Sequence, residues 1–146
     1  MAVYTKINKK EISYINKKFK VDKIISFKGI KQGIENTNYL LKSKNNKFIL
    51  TIFEKRVSKK EIPFFMKLMD QLNAYKINCP KPIKNKNGNY LIKIKNKTAC
   101  IVSFLDGKDK KSLSSKNCYE IGKMIAQMHL SSSNIKLYRK NSMGVK

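Results

Sequence analysis

A polar, glycine-containing loop between apolar runs constrains the fold of this 146-residue chain more than any other feature. Residues 27–41 read FKGIKQGIENTNYLL, and residues 48–56 then read FILTIFEKR. Gly29 and Gly33 permit backbone angles that other residues resist, so backbone N–H groups of the loop can approach an anion closely. The pattern predicts a β-hairpin whose loop covers a phosphate group.

The same two glycines also fit an ordinary turn. They are four residues apart, and the surrounding residues match neither GxGxxG nor the P-loop pattern that ends in Gly-Lys-Ser/Thr. The loop alone therefore leaves both interpretations open.

The periodicity of the apolar residues predicts an α+β fold. Asn8 with Glu11 is typical of a helix start, and Ile12, Ile15 and Phe19 follow on one helical face. Strands are predicted at residues 23–30, 38–43, 48–53, 90–94 and 99–104. We expect the second and third strands to join through a tight turn with positive φ at residues 45–46, and the last two to join around residue 96.

Two further helices are predicted. Ser58 and Glu61 form a capping-box pattern with Val57 and Ile62 as a hydrophobic staple, although Pro63 favours a later start. The next helix begins at Ser114 or Ser115, after a lysine-rich linker. The apolar face of the helix near Pro63 consists of Phe65, Leu68, Met69 and Leu72. That of the helix starting at Ser114 or Ser115 consists of Cys118, Ile121, Ile125, Met128 and His129. We expect His129, Met124 and Met128 to be core residues, and Cys79, Cys100 and Cys118 to be small buried residues rather than disulfide or zinc partners.

The formal net charge of +24 suggests a nucleic-acid-binding module as one alternative. Of the 33 basic residues, however, only Arg56 and Arg139 are arginines, and the lysines are scattered along the chain. Specific recognition of bases and phosphates usually favours arginine. We therefore expect a solvated basic surface without specific nucleic-acid binding. No apolar run approaches the ~20 residues of a membrane span, and no signal-peptide pattern opens the chain, so we expect a cytoplasmic protein without a membrane partner.

Six segments, in order, resemble the amino-terminal half of homoserine kinases of the aminoglycoside phosphotransferase superfamily. They read FKGIKQGIENTNYLL, FILTIFEKR, EIPFFMKLMDQL, CPKPI, IVSFLDGK and IGKMIAQMHL. The resemblance implies a protein-kinase-like small lobe, with a five-stranded antiparallel sheet and a helix between its third and fourth strands. The resemblance also implies an amino-terminal helix and the first helix of a truncated large lobe. Residues 1–105 would form the small lobe, and residues 106–146 the hinge and the start of the large lobe.

The resemblance also implies where a nucleotide binds. The loop at residues 33–38 would lie over the ATP phosphates, although Asn36 and Asn38 also fit a purely turn-shaping role, and residues 103–106 would be the hinge beside adenine. Thr51 stands where protein kinases carry a phosphate-binding lysine. Lys55 or Arg56 is a possible substitute, with a solvated ion pair as the alternative. The implied nucleotide-binding residues are Gly33, Glu35, Asn36, Thr37, Asn38, Thr51, Ser103, Phe104 and Leu105.

The implied activity is phosphoryl transfer from ATP, with Mg²⁺, to the hydroxyl of L-homoserine, a step toward threonine. The family's catalytic loop and metal motif have no match here, because the acidic residues after position 105 are Asp106, Asp109 and Glu120, and His129 is the single histidine. We therefore predict no catalytic or metal-binding residue in this chain and no turnover by the chain alone, and we expect the adjoining DNA to encode the catalytic lobe. Another small-molecule kinase of the superfamily is the alternative enzyme.

Overall fold

A computed structural model describes residues 3–54 and 58–140, which form a five-stranded antiparallel sheet and three helices. The strands lie in the order β1-β2-β3-β5-β4. This arrangement confirms the predicted α+β class and the helix between the third and fourth strands. The elements are α1 (Lys9–Lys18), β1 (Ser26–Gly29), β2 (Thr37–Lys42), β3 (Lys47–Ile52), α2 (Ile62–Ala74), β4 (Leu91–Ile94), β5 (Lys97–Ser103) and α3 (Ser115–Ser132).

Helix α1 begins at the predicted capping box. The Asn8 side chain accepts from the Lys10 N–H at 2.7 Å, while the Asn8 N–H donates to the Glu11 carboxylate at 2.7 Å. Both contacts satisfy backbone N–H groups that the start of a helix would otherwise leave without a partner. The predicted apolar face is confirmed, since Ile15 and the C-cap residue Phe19 are almost fully buried.

The sheet has a separate hydrophobic cluster on each face, because successive side chains of a strand point to opposite sides. Leu50 and Ile101 belong to the larger cluster, which includes the α1 residues. Cys100 and Val102 belong to the smaller cluster with Ile62 of α2. The central strands β3 and β5 therefore have helical cover on both faces.

One of the two predicted tight turns is wrong. Between β2 and β3, Asn45 and Asn46 do not adopt positive φ; Ser43 instead closes a four-residue turn, with its hydroxyl and N–H both donating to the Asn46 carbonyl at 3.0 and 2.9 Å. Between β4 and β5, Lys95 and Asn96 have φ of 48° and 63°. The predicted turn around residue 96 is therefore confirmed, and it is a two-residue hairpin connection.

The predicted capping box at Ser58 is also wrong. Helix α2 begins at Ile62 with Glu61 as its N-cap, and no side chain caps it. Pro63 lies in the first turn, where its missing N–H is harmless. Val57, the predicted staple partner, lies outside the described residues. The predicted face is half-buried at Phe65, Leu68 and Met69 and buried at Leu72.

Helix α3 begins after Ser114, as predicted, but its apolar face is exposed. Ile121, Met124 and Ile125 are 41–45% exposed and Met128 is 37% exposed, while no residue of the helix is buried. The prediction that His129 and the two methionines fill a core is therefore wrong within this chain, because α3 makes few contacts with the other helices and strands of the described residues. Among the cysteines, Cys100 is buried as predicted and Cys79 is half-buried, whereas Cys118 is exposed on α3.

Candidate functional site

The loop between β1 and β2 spans residues 30–36 and is closed by a hydrogen bond from the Ile30 N–H to the Asn38 carbonyl at 2.9 Å. Gly33 has a φ of +103°, which L side chains rarely adopt. Gly29 lies in β1, where a Cβ atom would stand 2.9 Å from Cγ2 of Val3. Gly33 thus provides an unusual backbone angle, whereas Gly29 permits the close approach of the amino-terminal segment.

The two asparagines of the loop are tied to the end of β3 and the residues that follow it. The Asn36 side-chain oxygen accepts from the Glu54 N–H at 3.3 Å, and the Asn38 oxygen accepts from the Thr51 hydroxyl at 2.8 Å. Within the described residues, the side-chain amide N–H groups of both asparagines make no hydrogen bond. The loop therefore has a fixed base and retains two side-chain amide groups whose N–H donors are suited to a negatively charged ligand.

Thr51 lies directly opposite Asn38 across β2 and β3, on the sheet face that carries Ile49 and Phe53. Its hydroxyl is committed to Asn38, so it connects the loop to the central strand rather than presenting a charge. Lys55 and Arg56, the possible substitutes for a phosphate-binding lysine, lie outside the described residues.

A buried polar cluster that the sequence did not predict lies behind the loop. Both Thr5 and Thr37 donate their hydroxyl hydrogen to the same Glu54 carboxylate oxygen, each at 2.7 Å. The Thr37 oxygen also accepts from the backbone N–H groups of Tyr4 and Thr5, at 2.9 and 3.1 Å. Lys97 forms an ion pair with the other Glu54 oxygen and donates to the Thr5 hydroxyl at 2.8 Å.

The Glu54 carboxylate is ionised in this cluster. Its side chain is 10% exposed. Burial raises its pKa, but the hydrogen bonds from Lys97, Thr37 and Thr5 and the charge of Lys97 outweigh burial and hold the pKa below the usual 4.5. A conspicuous glutamate directly after an apolar strand was the available sequence signal, but its partners come from distant parts of the chain.

The predicted hinge is anchored on both sides. Ser103 and Lys81 exchange two hydrogen bonds, one from each backbone N–H, both at 2.9 Å. The Phe104 N–H donates to the Lys47 carbonyl at 3.2 Å, and the Lys47 ammonium lies 5.1 Å from the centre of the Phe104 ring. Among the described residues the Leu105 N–H makes no hydrogen bond, so it is the first hinge donor after β5 that is open to a ligand.

An apolar pair between the loop and the predicted hinge was also not predicted from the sequence. Leu40 of β2 and Ile49 of β3 are directly opposite each other, and both are half-buried on the face opposite α1. The consecutive apolar residues of TNYLLK in β2 were a signal that both faces of this strand are covered. The pair provides a flat apolar surface next to Val102, which is opposite Ile49 on β5.

Strand β3 brings the predicted residues together at two places. Thr51 pairs with Asn38 near the loop, and Phe48 pairs with Ser103 near the hinge. Three residues of strand separate these places by about 10 Å at roughly 3.3 Å per residue. Asn36, Thr37, Asn38 and Thr51 thus lie at one end, Ser103, Phe104 and Leu105 lie at the other, and Gly33 and Glu35 are exposed on the loop.

Residues 3–54 and 58–140 contain no group of three or more His, Cys, Asp or Glu side chains that could hold a metal ion. Over the same residues, no helix is long and apolar enough to cross a membrane.

Comparison with protein families gives one match over most of the chain. The family described as "Phosphotransferase enzyme family" matches residues 26–139. Homoserine kinases of Parvibaculum lavamentivorans, Agrobacterium fabrum and Paramagnetospirillum magneticum are 38%, 39% and 39% identical over 99% of this chain. The chain covers 44–45% of the length of these relatives. These similarities confirm the resemblance drawn from the sequence.

Two solved structures share the fold at low sequence identity. A spectinomycin phosphotransferase in complex with ADP and spectinomycin has a TM-score of 0.70 and 16% identity, and the match covers 88% of this chain and 39% of that one. A microcompartment-associated aminopropanol kinase has a TM-score of 0.66 and 15% identity, over 94% of this chain and 44% of that one.

Proposed function

Because the chain belongs to the phosphotransferase enzyme family, we propose that it is the nucleotide-binding lobe of a homoserine kinase. Residues 1–105 would be the small lobe, and residues 106–146 the hinge and the start of the large lobe. One observation carries the proposal: β3 connects a braced glycine loop at one end with an anchored hinge at the other. The 38–39% identity to homoserine kinases over nearly the whole chain supports it.

The nucleotide is placed along β3 in this proposal. Adenine lies on the Leu40 and Ile49 pair and accepts a hydrogen bond from the Leu105 N–H, because the N–H groups of Ser103 and Phe104 are already engaged. The phosphates lie under the loop. There the loop N–H groups and two asparagine amides provide donors, and Gly33 allows close approach. Glu35, Thr37 and Thr51 shape the loop and its base.

The complete enzyme would transfer the γ-phosphoryl group of ATP to the hydroxyl of L-homoserine, with Mg²⁺ holding the phosphate charge. Phosphoryl transfer depends on positioned groups and metal-held charge, including a base and acidic metal ligands. We infer that these groups lie in the part of the relatives that this chain does not cover. The chain itself contributes nucleotide binding. A different small-alcohol acceptor is the second candidate, since an aminopropanol kinase shares the fold.

A chimera tests this function. The chain would be fused to the part of the Parvibaculum lavamentivorans homoserine kinase that it does not cover, and ADP release would be measured with ATP, Mg²⁺ and L-homoserine. We expect homoserine-dependent ADP release from the chimera and none from either part alone. A folded chimera without activity, or turnover by this chain alone, would contradict the proposal.

A further inference from the structure

We propose that Glu54 is a positioning residue that fixes the glycine loop, residues 30–36, from behind, through Thr5, Thr37 and Lys97. The inference rests on the proposed function in one respect, since it assumes that this loop covers the nucleotide phosphates. Glu54 lies behind the loop, and its carboxylate acts through the residues that it holds.

Glu54 holds the carboxyl end of the loop by two routes. Its backbone N–H donates to the side chain of Asn36, the last loop residue, and its carboxylate accepts from Thr37, the first residue of β2. Thr37 is fully buried. The side chain and the backbone of Glu54 thus fix the consecutive residues Asn36 and Thr37, where the loop returns to the sheet.

The tip of the loop is held through the amino-terminal segment. The Tyr4 hydroxyl donates to the Ile34 carbonyl at 2.8 Å, and Val3 packs against Gly29 where the loop leaves β1. This segment is itself held by Thr5, whose hydroxyl donates to Glu54 and accepts from Lys97. The path from Glu54 through Thr5 and Tyr4 therefore reaches the exposed tip.

We call the contacts of Glu54 with Thr5, Thr37 and Lys97 the brace of the loop. The negative charge of the carboxylate makes this brace specific to a glutamate. The nearly buried carboxylate has a donor at each oxygen, two hydroxyls at one and an ammonium at the other. In a Glu54→Gln variant the amide would face Lys97 or the hydroxyls with its own N–H groups, and the ammonium would lose its counter-charge. We expect the loop to be released while the apolar core stays intact.

Hydrogen exchange on the full chain tests the brace without any nucleotide. The hydrogen-bonded amides that hold the loop are those of Ile30, which donates to Asn38, and of Tyr4 and Thr5, which donate to Thr37. These amides should exchange about tenfold faster or more in E54Q, as expected for loss of a charge-assisted hydrogen bond. Thr5→Val should act in the same direction, and Thr5→Ser, which keeps the hydroxyl, should not. Asp70→Asn is the matched control, because Asp70 also accepts from a hydroxyl, that of Tyr90 at 2.5 Å, and lies 3.9 Å from the Lys84 ammonium, remote from the loop.

Unchanged exchange of the Ile30, Tyr4 and Thr5 amides in E54Q would overturn the proposal. An equal acceleration of the β3 and β5 amides would also overturn it, because that would mean general destabilisation. Titration with ATP and with adenosine provides the second test. We expect E54Q to bind ATP about tenfold more weakly than wild type and adenosine equally well. An equal loss of affinity for ATP and for adenosine would also overturn the proposal. A wild-type chain that binds neither ligand contradicts the proposed function, and the exchange rates then decide alone whether Glu54 holds the loop.

Discussion

At the scale of single residues, the polar groups behind the loop are matched to one another. Glu54 is nearly buried, yet each of its carboxylate oxygens has a donor, and the donors belong to three separate parts of the chain. Leaving such a group without a partner is more costly than the net gain from any one hydrogen bond. The cluster therefore makes the local structure sensitive to substitutions that change charge without changing size.

The lowered pKa of Glu54 predicts a pH dependence. Because the folded-state pKa lies below the usual 4.5, the ionised form stabilises the fold at neutral pH. This contribution is complete above pH 4.5 and is lost as the pH falls through the lower folded-state value. Lys97 is the charged group that contacts the carboxylate.

We expect E54Q to be less stable than wild type at neutral pH and to lose less stability on acidification. Urea unfolding of both proteins at neutral pH and below pH 4.5 measures this. If the two proteins lose the same free energy of unfolding on acidification, the ionised state of Glu54 does not contribute as described.

Gly33 carries a second prediction at this scale. Its φ of +103° means that Gly33→Ala should be destabilising by about 1–3 kcal/mol, since a Cβ atom strains that backbone even though space is available. Gly107→Ala is the control, because that glycine has neither a positive φ nor a neighbour within 4 Å of an added Cβ. Equal unfolding free energies for the two variants would contradict the conformational role of Gly33.

At the scale of elements, local signals were sufficient where the contacts are local. The start of α1 could be predicted because Asn8 and Glu11 satisfy each other three residues apart. For α2, the later start indicated by Pro63 lies within one residue of the observed start at Ile62. The capping box predicted at Ser58 does not form, and the Glu61 carboxylate that would complete it binds Arg139 at 2.9 Å, 78 residues away. The hinge and nucleotide-loop positions were taken from the resemblance and stay predictions, whereas the Glu54 cluster depends on contacts such as Thr5 with Lys97, 92 residues apart.

The exposed face of α3 predicts self-association of this chain. Exposed apolar patches on a helix favour contact with another molecule. Ile125→Lys should therefore reduce association at high protein concentration, with a change in unfolding free energy within about 0.5 kcal/mol, because the side chain is 43% exposed. Gln127→Lys adds the same charge elsewhere on α3 and should leave association largely unchanged. Sedimentation velocity of the three proteins would refute the prediction if all associate alike.

At the scale of the whole molecule, the large positive net charge determines how the chain interacts with polyanions. Thirty-three basic and nine acidic residues leave a net charge of +24. Within the described residues, four of the basic side chains form ion pairs with acidic ones, and one of these pairs lies in the Glu54 cluster. The remaining charge favours any polyanion without providing the arginine forks of specific readout.

Duplex DNA should therefore bind weakly and without sequence preference, with an affinity that falls steeply as salt rises. Fluorescence titrations with two unrelated duplexes over a range of salt concentrations measure this. Tight binding of one duplex over the other at about 0.15 M salt would support a nucleic-acid-binding module instead.

The nucleotide-binding role is tested most directly by mapping amide chemical shifts of the full chain by NMR during titration with ATP and Mg²⁺. The account predicts shifts at the loop and its base, residues 30–38, and at the adenine site, which consists of the hinge at residues 103–106 with Leu40 and Ile49. Adenosine should move the signals of the adenine site and leave those of the loop unchanged. Shifts confined to the lysine-rich surfaces of α1 and α3, or no shifts at all, would contradict the claim that this chain is a nucleotide-binding lobe.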